Sequence, residues 1–431
     1  MFENRSATLP AIMPPPRPRL LQRLYRQLDS AHATALRRAV RLATRRGVAL
    51  YLVGGGVRDL LLGAAHVDVD LVVEGDAVAL AKGVAKELRA RVVAHARFGT
   101  AAVLGERFRL DFARARTERY DRPGALPAVA RAPLADDLAR RDFTINAMAL
   151  RLTAPRAGEL LDLFGGREDL ARRRVRVLHD GSFRDDATRI LRALRYAGRL
   201  GFRIEPGTAR LLRRDLPHLR PISGARLRHE IELIADEERA RRIARAAHRL
   251  GVLRALHRAL APDAAALRAS DKLSRVTHRD AVLFALLLSR ATSRTADAAI
   301  ARLALTGEQA RAVRGLLALR RRARTLARAA LRPSQAVRLL AAHSVDAIEP
   351  FALLEGRSLA GRRARRYLDD WRAVRPRLNG GDVVALGVPR GPQVGRALAL
   401  LRDACLDGRV KSKKDEEALV RKTFVGRSPR G

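Results

Sequence analysis

Cysteine is almost missing from this chain: Cys405 is the only one in 431 residues. An internal disulfide and a cysteine-based zinc cluster are thereby excluded, and a reducing compartment suits the sequence. Lysine is scarce too, supplying seven of the 86 basic residues, and acidic residues number 45, so the formal charge is +41. Such an excess, spread along the length, points to a polyanionic partner, with RNA or DNA ahead of a membrane surface. The chain is also rich in alanine, so a coding bias towards Arg and Ala is an alternative source of the excess. Arginine attracts phosphate whatever put it there. No run of about 18 apolar residues and no charged-then-apolar leader is present. We therefore expect a soluble, cytoplasmic protein with no membrane association and no obligate protein partner.

At this length several domains are expected, since a domain usually runs about 100 to 200 residues. The opening stretch through Pro18, with Pro14, Pro15 and Pro16 in a row, reads as an extended, poorly ordered arm. Leu, Ala and Arg recur at helical spacing over residues 20–46, ending near Gly47. The period then changes: residues 48–53, 68–73, 91–94, 100–104 and 108–112 read as short strands and 77–88 as a helix. This predicts a mixed α/β unit over roughly 47–155. After Asp180 almost every segment reads as helix, broken by glycine and proline at places such as Gly201, Pro206, Gly251 and Pro333. The expected class is α+β, a small catalytic head followed by a long helical body.

Residues 51–70 join an apolar strand, a glycine turn bearing Arg58, and two carboxylates one residue apart. On a strand, Asp68 and Asp70 project from one face while Val69 and Leu71 enter the core. Oxygen-only ligands on one edge suit Mg²⁺, and Gly54 to Gly56 allow amides to approach a polyphosphate closely. Asp-x-Asp is also an ordinary feature of solvated turns. Asp111 lies on an apolar strand, where it is either a third carboxylate for two-metal phosphoryl transfer or the partner of Arg109 or Arg114. Arg140 and Arg141 form a pair that can clamp phosphates, with Asp142 beside them; a charged loop end is the plainer reading. Asn146, among apolar neighbours, is of the kind that anchors a turn or a ligand. If a helix starts near Asp185, Asp186 and Arg189 are neighbours on it and Arg192, Arg195 and Arg199 continue a basic face. That arrangement is an amino-terminal cap with an ion pair, or a reader of bases. A carboxylate can accept from the exocyclic amine of cytosine or adenine while a guanidinium donates to the ring, which rejects guanine and uracil.

The ordered series Gly54-Gly55-x-Val57-Arg58-Asp59 with Asp68-x-Asp70, Arg116-Thr117-Glu118, Arg140-Arg141-Asp142-Phe143-Thr144-Ile145-Asn146-Ala147, Asp162-x-Phe164-Gly165-Gly166-x-x-Asp169-Leu170, Asp185-Asp186-x-x-Arg189-x-x-Arg192 and Arg228-x-Glu230-Ile231 resembles the class II tRNA nucleotidyltransferases. These are the CCA-adding enzymes, with their relatives the bacterial poly(A) polymerases and the split CC- and A-adding enzymes. Gly381-Asp382-x-x-x-Leu386-Gly387 resembles the tail of bacterial members, so the likeness spans about residues 45–425.

The resemblance implies a polymerase-β-like nucleotidyltransferase head followed by an all-α neck, body and tail. The divisions expected are a disordered arm at 1–18, head at 19–155, neck with a base-template helix at 156–220, body at 221–340 and tRNA-binding tail at 341–431. It implies Asp68 and Asp70 as ligands of Mg²⁺, with Asp111 the best third catalytic carboxylate. Gly54, Gly55, Arg58, Arg140, Arg141 and Asp142 are expected at the nucleotide, and Asp186 and Arg189 as a protein template for CTP and ATP, with Arg192 and Arg195 nearby. The reaction implied is attack of a tRNA 3′ hydroxyl on the α-phosphate of CTP or ATP.

Two departures stand out. Asp185 occupies a place where the family usually has Glu, and Ala187 one where it often has Pro. The only His-Asp dipeptide, His179-Asp180, lacks partner ligands, so no phosphohydrolase activity is expected. Narrower A-adding, CC-adding or poly(A) activity, and a non-catalytic RNA-binding protein on the same scaffold, are the alternatives. The loop 120–134, with Asp121 and Arg122 at its start, is where such relatives differ in switching from C to A.

Overall fold

The computed structural model describes residues 17–65, 67–119 and 128–425, and its chain divides into two compact units, Met1–Ser223 and Gly224–Gly431. The arm expected at 1–18 lies outside the described residues apart from Arg17 and Pro18, which already belong to helix α1 (Arg17–Gln27). The single helix expected over 20–46 is in fact two, α1 and α2 (Ser30–Arg45). Asp29 makes the break: its carboxylate accepts from the Ala31 and His32 amides and so caps α2.

The first unit continues with β1 (Ala49–Val53), α3 (Gly55–Leu62), β2 (Asp70–Glu74), α4 (Ala77–Leu88), β3 (Arg91–His95), β4 (Thr100–Leu104), β5 (Arg109–Arg114), β6 (Arg116–Arg119), β7 (Ala128–Arg131), α5 (Leu134–Ala139), β8 (Met148–Arg151) and β9 (Leu160–Asp162). Seven strands form one sheet in the order β3-β4-β5-β2-β1-β8-β9. Only the β2–β5 pair is parallel, the rest of that sheet being antiparallel, so the sheet is mixed as expected. Strands β8 and β9 carry it on to Asp162, beyond the limit of about 155 read from the sequence.

Alternation divides β1 between two cores. Tyr51 and Val53 join Val72, Leu134 and Leu138 in a cluster on one side, while Leu50 and Leu52 are fully buried on the other. Each such aliphatic side chain contributes about 1.5–3 kcal/mol by leaving water. This sheet places β1, β2 and β5 side by side. After β9 come α6 (Gly166–Ala171), α7 (Ser182–Asp185) and α8 (Thr188–Leu200).

The second unit is helical, and the division expected at 340/341 falls inside its helix Pro333–Ala341. Helix Arg279–Leu287 is apolar enough to be buried from Ala281 through Leu287, and it packs with helices Gly307–Arg321 and Val345–Glu355. The amino-terminal ends of these three meet in an ionic lock. His278 Nδ1 lies 2.9 Å from Asp346 Oδ1 and 3.0 Å from Glu308 Oε1, and both acids sit in first turns, where the helix dipole favours them. The Asp346 hydrogen bond and charge hold the His278 imidazolium above its ordinary pKa. Because the folded value is raised, this stabilisation is present in full below about pH 6.5, the unfolded histidine value, and is lost as pH rises through the folded one. His278→Ala is therefore expected to lower the melting temperature at pH 6 and to leave it almost unchanged at pH 9. Melts across that range decide it, since a deficit independent of pH would mean that the lock is not ionic.

Candidate active site

The acidic edge is built by register. In the parallel β2–β5 pair Asp70 stands opposite Asp111, and the Asp111 amide donates to Val69 O at 3.3 Å. Strand β2 begins at Asp70, so Asp68 lies in the segment just before it rather than inside a strand. The alternation still holds: Val67 and Val69 are buried, Asp68 and Asp70 exposed. Partial desolvation, then the charges of Asp111 and Asp68, push the Asp70 carboxyl above the ordinary aspartate range. Asp111 is held by Arg109, whose Nε and Nη2 donate to it at 2.7 and 2.9 Å. The ion pair left open by the sequence thus exists, on the same carboxylate that faces Asp70. A cavity of about 470 Å³ opens here, lined by Asp70, Asp111, Arg109, Arg140 and Arg141 with Leu104 at its apolar side.

The glycine turn between β1 and α3 has two separate reasons for glycine. Gly54 adopts φ +67°, and a Cβ there would lie 2.6 Å from Arg141 Nη1. A Cβ on Gly56 would lie 2.4 Å from the Asp68 carbonyl oxygen. Gly56 is thus what allows the acidic segment to pack onto the first turn of α3. Gly55 has less steric demand, its nearest neighbour being Arg58 Nη2 at 3.4 Å.

Arg58, only 3% exposed, is bidentate to Asp59 at 2.8 and 2.8 Å and donates to Asn146 Oδ1 at 2.6 Å. Asn146 in turn donates to Asp142, which also accepts the Phe143 amide and two bonds from Arg192, at 2.9 and 2.7 Å. Burial would raise the Asp142 carboxyl, but Arg192 and Asn146 bring it below the ordinary aspartate range. Asp142, expected among the nucleotide contacts, is thus buried and committed to protein donors: it positions Arg192 and Asn146.

Arg140 is similarly committed, to Asp137, to Glu118 and to the Arg116 carbonyl. Arg141 donates to the other Asp137 oxygen at 3.0 Å and lines the cavity beside Asp70. Both arginines thus line the cavity and share Asp137, and Arg140 is bound to Glu118 and the Arg116 carbonyl as well.

Helix α8 starts at Thr188, not near Asp185. Asp186 is extended, and its Oδ1 accepts from the Thr188 amide and hydroxyl at 3.0 and 2.8 Å. Arg189 is buried and donates to Ser182 Oγ at 2.8 Å and to the Arg140 carbonyl at 2.7 Å. The Arg189 bond to Arg140 and the Arg192 bonds to Asp142 thus tie α8 to the segment that carries Arg141. Asp59, Asp137, Ser182 and Tyr196 were missed as parts of this site. The spacing of Asp137 three and four residues before Arg140 and Arg141 is a signal that could have found it.

The Poly A polymerase head domain matches residues 50–176, and the domain described as "Probable RNA and SrmB- binding site of polymerase A" matches 201–264. The CC-adding tRNA nucleotidyltransferase of Deinococcus radiodurans is 35% identical over 88% of this chain and 91% of its own length. The chain belongs to the tRNA nucleotidyltransferase and poly(A) polymerase family. Within that family, the A-adding tRNA nucleotidyltransferase of Halalkalibacterium halodurans is 42% identical over 51% of this chain. The match covers 52% of that relative, and 30% and 23% of two other A-adding ones, so the chain spans about half or less of their length. The solved Thermotoga maritima CCA-adding enzyme complexed with tRNA_CCA superposes with a TM-score of 0.79 at 28% identity, covering 94% of this chain and 98% of that one. CCA-adding enzyme complexes with ATP and with CTP match over the same share of this chain.

Proposed function

We propose that the protein adds C and A nucleotides from CTP and ATP to the 3′ end of tRNA, completing or repairing the CCA terminus and releasing pyrophosphate. The observation that carries this reading is the placement of Asp70 in register with Asp111, beside a glycine-led helix start and Arg141. Negative ligands for a cation and positive ligands for a polyphosphate meet at one cavity.

The donor set fits a hard divalent cation: Asp68 and Asp70 offer only oxygen, they are exposed, and a bound cation would offset both the partial desolvation and the repulsion by Asp111 and Asp68 that raise the Asp70 pKa. Mg²⁺ held by these two would neutralise developing charge on the attacking and leaving oxygens. Asp111 joins as third carboxylate once Arg109, itself exposed, releases it. The amides of the first turn of α3, with Arg58 and Arg141, bind and orient the triphosphate. Asp186 and Arg189 read the base edge, and the bonds of Arg189 to Ser182 and Arg140 hold its guanidinium in place for that. In the second unit a groove lined by Arg239, Arg241, Arg242, Arg245 and Arg249, with Glu238 and Asp271, carries a net positive charge that suits backbone phosphates, which are gripped by charge rather than sequence.

A narrower specificity is favoured by one observation: relatives matching at 42%, 39% and 49% identity are A-adding, and one matching over almost its whole length is CC-adding. Residues 120–127 of the C-to-A loop lie outside the described residues. Purified protein should be given tRNA transcripts lacking CCA, ending in C, or ending in CC, with each labelled nucleotide alone and with CTP plus ATP. Two C and then one A is the expected result. A only on the CC-ending transcript, C only, or long A tails on unrelated RNA would each replace it with the corresponding narrower activity.

A further inference from the structure

Tyr196 has no place in the sequence series, yet three guanidinium groups gather on it. The guanidinium carbons of Arg58, Arg192 and Arg195 lie 5.2, 5.6 and 5.1 Å from its ring centroid. Each is within the distance at which the ring quadrupole attracts a cation. The ring is itself fixed edge-to-face against Phe143, with centroids 5.8 Å apart and planes at 77°, and Arg192 Nη2 approaches the Tyr196 hydroxyl at 3.4 Å. Arg58 belongs to α3, just past the glycine turn, whereas Arg192 and Arg195 belong to α8. The aromatic ring is thus where the helix beside the phosphate turn and the helix beside the base reader share a wall.

Three like charges this close repel one another. Asp59 neutralises Arg58 and Asp142 neutralises Arg192, but each carboxylate holds its own guanidinium plane and neither links one plane to another. A ring contacted by all three restrains those planes together, at no cost in additional negative charge that would compete with a polyphosphate.

We infer that Tyr196 is a positioning residue for the incoming nucleoside triphosphate: its ring orients Arg58, Arg192 and Arg195 as one cationic wall. This rests on the nucleotidyltransferase reading above. The role is assigned mainly to the ring, the long hydroxyl contact with Arg192 being the lesser part, and acts on what CTP and ATP have in common, so both nucleotides depend on it alike.

The test compares wild type with Tyr196→Phe and Tyr196→Met, the second keeping apolar bulk while removing the ring. Tyr196→Phe is expected to stay within about threefold of wild type in every constant, whereas Tyr196→Met raises KM for CTP and ATP by about tenfold each, with kcat changed less than threefold. Equal KM values in all three proteins would overturn the inference, as would a change confined to kcat or to one of the two nucleotides. Equilibrium binding of ATP and of CTP without RNA is measured alongside. If wild type adds no nucleotide but binds ATP and CTP, and Tyr196→Met binds them tenfold more weakly while Tyr196→Phe does not, the transfer reading has failed and Tyr196 still positions a triphosphate. If wild type adds nucleotides and Tyr196→Met behaves as wild type, the inference about Tyr196 has failed and the transfer reading stands. Melting temperatures guard against collapse: should Tyr196→Met unfold, Tyr196→Leu repeats the comparison.

Discussion

Asp70→Asn is expected to abolish nucleotide addition, with kcat down by about 10³-fold or more, while the protein melts at the wild-type temperature or slightly above it. The two halves of this result come from one cause. Asp70 is exposed at the start of β2, with Asp111 opposite it and Asp68 two residues before, and its raised pKa records desolvation and then repulsion by those two carboxylates. Removing a charge from such a group relieves the folded state, because nothing in the core depends on it. The same change removes one of the two oxygen ligands proposed for the cation. Loss of function without loss of stability separates a working carboxylate from one that pairs in an ordinary ion pair. A label-incorporation assay and a thermal melt on the same preparation settle it; activity within tenfold of wild type would refute the assignment of Asp70.

Arg109→Ala gives a contrasting outcome. Arg109 is on the surface and its two bonds go to Asp111, so its removal adds an unshielded charge next to Asp70 and costs little stability, since exposed pairs contribute about 0–1 kcal/mol. The pairing therefore tunes the acidic edge more than it holds the fold.

Much of the head was legible because its elements are short and their patterns strong. Helix α4 and strand β4 have the bounds read from the sequence, since Asp76 caps the first and glycines bracket the second. Asp68 and Asp70 could be placed on one face because period-two alternation continues through Val67 and Val69 even where the ladder has not begun. Reading failed where a polar residue had two possible uses. Asp29 has helical neighbours on both sides, and only its bonds to the Ala31 and His32 amides show that it ends one helix and starts another. Strands β8 and β9 follow a stretch dominated by Arg140, Arg141 and Asp142, and their pairing is set by contacts with β1 and with each other, which no local pattern reports. Asp142 carries polar chemistry beside a phosphate site, but its side chain is buried among protein donors. Arg140 bonds Asp137 and Glu118 and Arg141 bonds Asp137, and where those carboxylates lie is tertiary information.

Asp142→Ala tests that bracing role and should have the largest effect on stability among the site residues. The carboxylate is 8% exposed and accepts from Arg192 twice, from Asn146 and from the Phe143 amide. Truncation leaves a buried amide and the Asn146 nitrogen without that acceptor, and Arg192 without a counter-charge. Breaking a buried pair costs about 3–5 kcal/mol, but Arg192 is one-third exposed and water can take over part of its solvation, so about 2–4 kcal/mol is the reasonable range. That corresponds to a fall of roughly 5–10 °C in the melting transition of a unit this size. Activity should fall as well, through KM more than kcat. Asp142 reaches no reacting atom, but it ties α8 to the segment holding Arg141, and a loosened α8 weakens the grip on nucleotide before it disturbs the acidic edge. Asp142→Asn keeps the shape and one acceptor while losing the charge, so it should recover part of the stability yet bind Arg192 less well. Melts and steady-state kinetics of the two variants would contradict this account if the alanine protein melted within 2 °C of wild type, or if kcat fell while KM for both nucleotides stayed unchanged.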